Sequence, residues 1–230
     1  MPNRWRTGLA ILILVVLFVA PLLAGLPDIF LLTLRAPSRG EHIQTKQVSR
    51  STEIVDTQAA AVPTLGCCKC LGGSNTLDLS TVSSNQWTVN GSPVVFVTTV
   101  NPFWTMNPSP ANWVSTVANT TTNVPGITYD YKLAFAVPRC TIEQRVSLSG
   151  SFAGDDDVFV YLDSAVPPKL IAQCTGGWCF NISHKPIPTF NNYAVGPGSH
   201  TLIVRVKNAA GGPSPSGMFI NAKLTGNCAK

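Results

Sequence analysis

Residues 150–163 read GSFAGDDDVFVYLD, which sets Asp155, Asp156 and Asp157 side by side directly before an alternating apolar run. From residue 67 onward there are only seven acidic residues, and this stretch, with Asp163, holds four of them. Adjacent carboxylates have three chemical uses. They turn and cap the backbone, as aspartate does in loops. They form an acid and base pair, which requires carboxyl groups on opposite sides of a substrate rather than next to each other in sequence. They also supply oxygen ligands to a hard cation such as calcium, which would relieve the repulsion of three neighbouring charges.

Aromatic side chains offer a second kind of chemistry, stacking on sugar rings. Trp87, Trp104, Trp113 and Trp178 are available from residue 67 onward. The proline-bounded loop NPFWTMNP at 101–108 is suited to display Phe103 and Trp104, and Trp178 lies in the short loop CTGGWC. Large aromatics in a domain of this size are mostly core, and Trp113, set in a strand-like WVST, reads as core. Trp104 and Trp178 are the ligand-binding candidates. His184 and His200 have no serine elbow or cysteine motif around them, and Glu143 is the single glutamate after residue 66, so no catalytic constellation is legible.

Seven cysteines, at 67, 68, 70, 140, 174, 179 and 228, all follow residue 66. That usage belongs to an oxidised, exported domain. Cys174 and Cys179 flank a glycine-rich loop short enough to close on itself. Cys228 is expected to pair with one of Cys67, Cys68 and Cys70, and Cys140 with another; we take Cys67 and Cys70 as the two used. The odd thiol is either free or joins two chains. A zinc site at CCKC lacks a second Cys or His pair at ligand spacing. Three tripeptides, at Asn90, Asn119 and Asn181, fit the N-glycosylation acceptor, a number that chance supplies in a chain this rich in Asn, Ser and Thr.

These residues must be positioned by strands. From residue 70 onward, alternating apolar patterns at 129–137, 94–99, 144–152, 158–162, 200–206 and 218–224 are separated by Gly, Pro, Asn and Ser, and no apolar run of helical period there is long enough for an ordinary helix. The default architecture is an all-β, antiparallel two-sheet β-sandwich of jelly-roll type. Ahead of it, Arg4 and Arg6 precede an apolar run over 9–26, followed by IFLLTL, long enough for a signal peptide or an uncleaved membrane-spanning signal anchor. The predicted organisation is therefore one N-terminal hydrophobic helix in a leader over 1–34, a flexible linker over 35–66 and a β-sandwich over 67–230. Arg35, Arg39, Lys46 and Arg50 outnumber the basic residues before the run, which by the positive-inside rule alone opposes export of the domain; the cysteines favour it. The ten Lys and Arg after residue 66 are scattered singly, so no nucleic-acid footprint is present.

The run at 150–163 resembles the signature of PA14-like, fibro-slime-type domains, in which phenylalanine and glycine precede paired or tripled aspartates and an alternating strand. The wider frame, from PANWVS at 110–115 to GSHTLIVRVKN at 198–208 and SPSGM at 214–218, is similar to galactose-binding-like jelly rolls of exported proteins. The resemblance implies that Asp155, Asp156 and Asp157 bind calcium, with Asp156 and Asp157 foremost, and that the calcium coordinates sugar hydroxyls. No second calcium-binding loop matches, and Asp163 is followed by SAVPP rather than a glycine turn. The resulting expectation is a non-catalytic, extracytoplasmic module, secreted or held at the membrane through residues 9–34, that binds a glycan. The alternative is a structural or assembly domain that contacts a cell-surface protein or copies of itself, including through a disulfide.

Overall fold

The computed structural model describes residues 61–83, 85–208 and 213–229. All regular elements among them are strands: β1 (Ser74–Asp78), β2 (Thr88–Val89), β3 (Ser92–Pro93), β4 (Val95–Phe96), β5 (Val114–Ser115), β6 (Thr128–Val137), β7 (Gln144–Asp155), β8 (Asp157–Ala165), β9 (Pro168–Cys174), β10 (Thr189–Val195), β11 (Gly198–Lys207) and β12 (Gly217–Cys228). They form two antiparallel sheets in a β-sandwich-like arrangement. One sheet runs β3-β2-β6-β11-β8-β9; the other runs β10-β7-β12-β5-β4, with β1 also on β12. Because β12 pairs with β7 along its whole length, β5 at Met218 and β1 at 223–227 share its other edge.

The alternation in sequence explains the core. Tyr129, Tyr131, Leu133, Phe135 and Val137 of β6 point inward, as do Val158, Val160 and Leu162 of β8 and Leu202, Val204 and Val206 of β11. They meet Leu148 and Phe152 of β7 and Met218, Ile220, Ala222 and Leu224 of β12 in one cluster between the sheets. Neighbouring residues on a strand face opposite ways. Ala153 and Phe219 accordingly leave that core and join Trp104, Met106, Ala111, Trp113 and Phe180 in a second cluster, on the outer face of the β7–β12 pair. The loops that carry Trp104 and Phe180 thus cover that face and are tied to it.

The three disulfides are Cys67–Cys140, Cys68–Cys228 and Cys174–Cys179. Cys70, expected to be bridged, is instead free and exposed, and Cys68 takes its place. Residues adjacent in an extended segment point to opposite sides, and Gln144 of β7 pairs with Cys228 of β12. Cys67 and Cys68 therefore reach Cys140 and Cys228 at the same end of the sheet, whereas Cys70 lies in a turn closed by Gly73 N–H to Cys70 O. Intrachain bridges of this kind belong to an oxidising compartment outside the cytoplasm.

The linker boundary also shifts. Leu65 is buried in the main core, its N–H donates to Ala136 O, and Pro63 O accepts the Ala136 N–H, so residues 63–66 belong to the sandwich rather than to the linker over 35–66. The leader over 1–34, the membrane contact through 9–34 and most of the linker lie outside the described residues. Among the described residues no helix is long and apolar enough to cross a membrane.

Among the described residues, one buried side-chain oxygen lacks a hydrogen bond of normal geometry, the Tyr131 hydroxyl; burial, chiefly, raises its pKa above the ordinary tyrosine value, and the nearby Ser115 side chain opposes this. Tyr131→Phe removes only that oxygen. The variant is expected to be as stable as the parent or more so, by up to about 1 kcal/mol, because the desolvation cost disappears and only a poorly aligned contact with Ser115 is lost. Chemical denaturation compares the two directly.

Candidate functional site

The aspartates lie at the junction of β7 and β8, where Asp155 ends one strand, Asp157 begins the next, and the Asp155–Asp156 peptide is cis. The three side chains do different things. Asp155 is 7% exposed and turns toward the outer aromatic cluster, where its Oδ2 accepts the Trp104 Nε1–H at 2.9 Å. Its backbone carbonyl accepts the Ser216 hydroxyl at 3.2 Å. Burial, chiefly, and then the hydrogen bond and charge of Asp156 hold the Asp155 carboxyl well above the usual carboxylate range, with the Trp104 N–H opposing. A carboxyl so placed keeps its proton and hydrogen-bonds with Asp156.

Asp156 donates its backbone N–H to Lys207 O at 3.2 Å. Asp157 Oδ1 accepts the Gly177 N–H at 2.8 Å, so it anchors the Cys174–Cys179 loop. The three carboxylates therefore do not converge. Among the described residues no three His, Cys, Asp or Glu side chains are grouped as a metal ion would need, and Asp157 has a structural partner of its own.

The structure does bring the aspartates and both candidate tryptophans to one place. An open cleft of about 690 Å³ is lined by Asp156, Asp157, Trp178, Phe180, Ile127, Lys207 and Asn208, among others. A second cleft, of about 330 Å³, shares Asp156, Trp178 and Phe180 and adds Phe103, Trp104 and Asp155. Trp178 is 45% exposed, stacked on His184 with ring centres 4.2 Å apart. It ends a run of three positive φ angles, 82° at Gly176, 67° at Gly177 and 61° at Trp178. Glycine takes that conformation without strain, but tryptophan does not, and residues held so tend to mark binding or catalytic sites.

Trp104 differs from expectation. It is buried, packed against Trp113 in a tilted pair with centres 4.4 Å apart, and it forms the floor of the smaller cleft rather than its rim. Gly217 makes this possible, since a Cβ there would stand 2.7 Å from the Trp104 ring. The exposed aromatic of the loop is Phe103, at 66%. The loops carrying Phe103 and Trp178 are joined by Asn181 Nδ2–H to Phe103 O at 3.0 Å, Ile182 N–H to Thr105 Oγ1 at 3.0 Å and Met106 N–H to Phe180 O at 3.3 Å.

Sequence reasoning missed Lys207, Asn208, Ile127 and Phe180. The signal for Lys207 and Asn208 is topological. Lys207 pairs with Asp157, so the last residues of β11 stand beside the first of β8 whenever those strands are antiparallel neighbours. The histidines lie apart: His184 packs on Trp178, while His200 Nδ1 lies 2.9 Å from Asp163 Oδ1 and its Nε2 2.8 Å from Gly196 O. No protein-family model matches the chain, and no curated protein does.

Proposed function

We propose that this chain is an exported, non-catalytic binding module, a PA14-like, galactose-binding-like jelly roll, whose Asp156–Trp178 cleft takes a carbohydrate. One observation carries the reading: an exposed indole, two carboxylates, a lysine and an amide share one open cleft. A sugar ring offers an apolar C–H face to an aromatic ring and hydroxyls to polar walls, which this mixture suits. The secretory signal, or signal anchor, read in residues 1–34 and the intrachain disulfides support export.

Calcium fits part of the acidic run. Asp155 and Asp156 stand as two hydrogen-bonded carboxyl groups beside the cleft, a place where a cation would replace the Asp155 proton; Asp157 is committed to Gly177. Bound there, calcium would offer open coordination positions to sugar hydroxyls. Trp178 orients the ring, Asp156 and Asn208 line the polar wall, and Asp157 holds the Trp178 loop in place.

Glycan-array binding followed by calorimetry, in calcium and then in chelator, tests this. Trp178→Ala should weaken binding at least about tenfold, equivalent to ~1.4 kcal/mol, with the domain still folded. Calcium at about 100 times its Kd should stabilise the parent by roughly 2.7 kcal/mol and leave Asp156→Asn unmoved. Absence of both effects would favour the second reading, a domain for contacts with a surface protein or with itself. The exposure of Phe103, Ile182 and Val100 supports that reading.

A further inference from the structure

We propose that Asn119 is an N-glycosylation acceptor of this protein and that Asn181 is not. Both head an Asn-X-Ser/Thr tripeptide, Asn119-Thr120-Thr121 and Asn181-Ile182-Ser183, so sequence alone ranks them equally. The structure separates them.

Asn119 is exposed, in the loop between β5 and β6. Its Oδ1 accepts the Thr121 N–H at 3.0 Å and the Thr121 hydroxyl at 2.7 Å. The acceptor amide and the hydroxyl that the acceptor motif requires are thus in contact, and among the described residues Nδ2 is left without a partner. Thr121 is exposed as well, whereas Thr120 between them is buried and fixes the loop by accepting the Asn101 N–H at 2.9 Å and donating to Thr99 O at 3.0 Å. A glycan on Nδ2 projects into solvent and breaks none of these bonds.

Asn181 is the opposite case. It is buried, and its Nδ2 is the donor that joins the Trp178 loop to Phe103 O at 3.0 Å. A sugar on that nitrogen would part the two loops that form the cleft. The intrachain disulfides fit an oxidising, extracytoplasmic compartment, which such transfer also requires.

In the transfer, Asn119 Nδ2 attacks the anomeric carbon of a polyprenyl-diphosphate-linked oligosaccharide. The N–C bond forms, the C–O bond to the diphosphate breaks with its electron pair going to the departing diphosphate, and one amide proton passes to a base of the transferase. No oxidant or reductant is involved.

The full chain, isolated from its own cells, is treated with a peptide-N-glycosidase in heavy-oxygen water, and its peptides are mapped by mass. Every formerly glycosylated asparagine becomes a heavy-labelled aspartate. The expected result is label at Asn119 and none at Asn181. In the same cells, Thr121→Ala should abolish the Asn119 label and Ser183→Ala should leave the pattern unchanged; Ser92→Ala removes the third acceptor while keeping the Asn90 side chain that accepts the Asp130 N–H. An unlabelled Asn119 or a labelled Asn181 overturns the proposal.

Discussion

With calcium removed by a chelator, Asp155→Asn should unfold at a higher temperature than the parent domain at pH 7, and the difference should close as the pH falls toward 4. The folded domain holds the Asp155 carboxyl above its ordinary pKa, because the group is buried and faces Asp156. In the unfolded chain the group titrates near 3.9. Between the two values the folded state binds a proton that the unfolded state does not, so stability falls as pH rises through that window and is fully present below about 4. Each unit of separation is worth about 1.4 kcal/mol, and a domain of this size shifts by roughly 2–4 °C per kcal/mol.

Asparagine reproduces the neutral acid. Its oxygen accepts the Trp104 N–H and its amide donates to Asp156, with no proton to lose. Melting curves of parent and variant from pH 4 to pH 8 should show a slope in the first and little in the second. A variant less stable than the parent at every pH would mean that Asp155 is a stabilising anion in the fold, and the account of Asp155 as a buried neutral acid would be wrong.

The second large effect belongs to the termini. Replacing Cys68 and Cys228 together with Ser should cost roughly 2–5 kcal/mol, the range for a native bridge in a small exported domain. The bridge closes a separation of 160 residues and ties the entry of the domain to the end of β12, beside the β1–β12 pairing that begins at Ser74 and Asn227. Cys70→Ser touches an exposed, unpaired thiol and should stay within about 0.5 kcal/mol. Urea denaturation of the oxidised proteins separates the two outcomes. If Cys70→Ser carries the large loss instead, Cys70 rather than Cys68 pairs with Cys228.

Much of the fold was legible in the chain. The alternation at 129–137 predicts β6, and that at 200–206 and 218–224 lies within β11 and β12, because one face of each strand must leave water. β9 and β10 were not anticipated. PKLIAQC and TFNNYAV carry Pro, Lys and Asn on edge or half-exposed strands, where burial places little demand on composition. The stretch at 94–99 reads as a full strand yet keeps only Val95–Phe96, since the chain turns there to cover the outer aromatic cluster.

The sequence by itself determined the all-β class, the closure of Cys174 on Cys179 and the burial of Trp113, because each follows from local pattern or from a loop too short to do otherwise. Only the tertiary structure decided the rest. It sent Asp155 inward to Trp104, gave Asp157 to Gly177, buried Trp104 under Gly217 and exposed Phe103 beside it. It also brought Lys207 and Asn208, some fifty residues further along, to the wall of the same cleft. Three identical side chains in a row carry no mark of which will be buried. That is settled by what packs above each one, and those neighbours come from strands and loops far away in the chain.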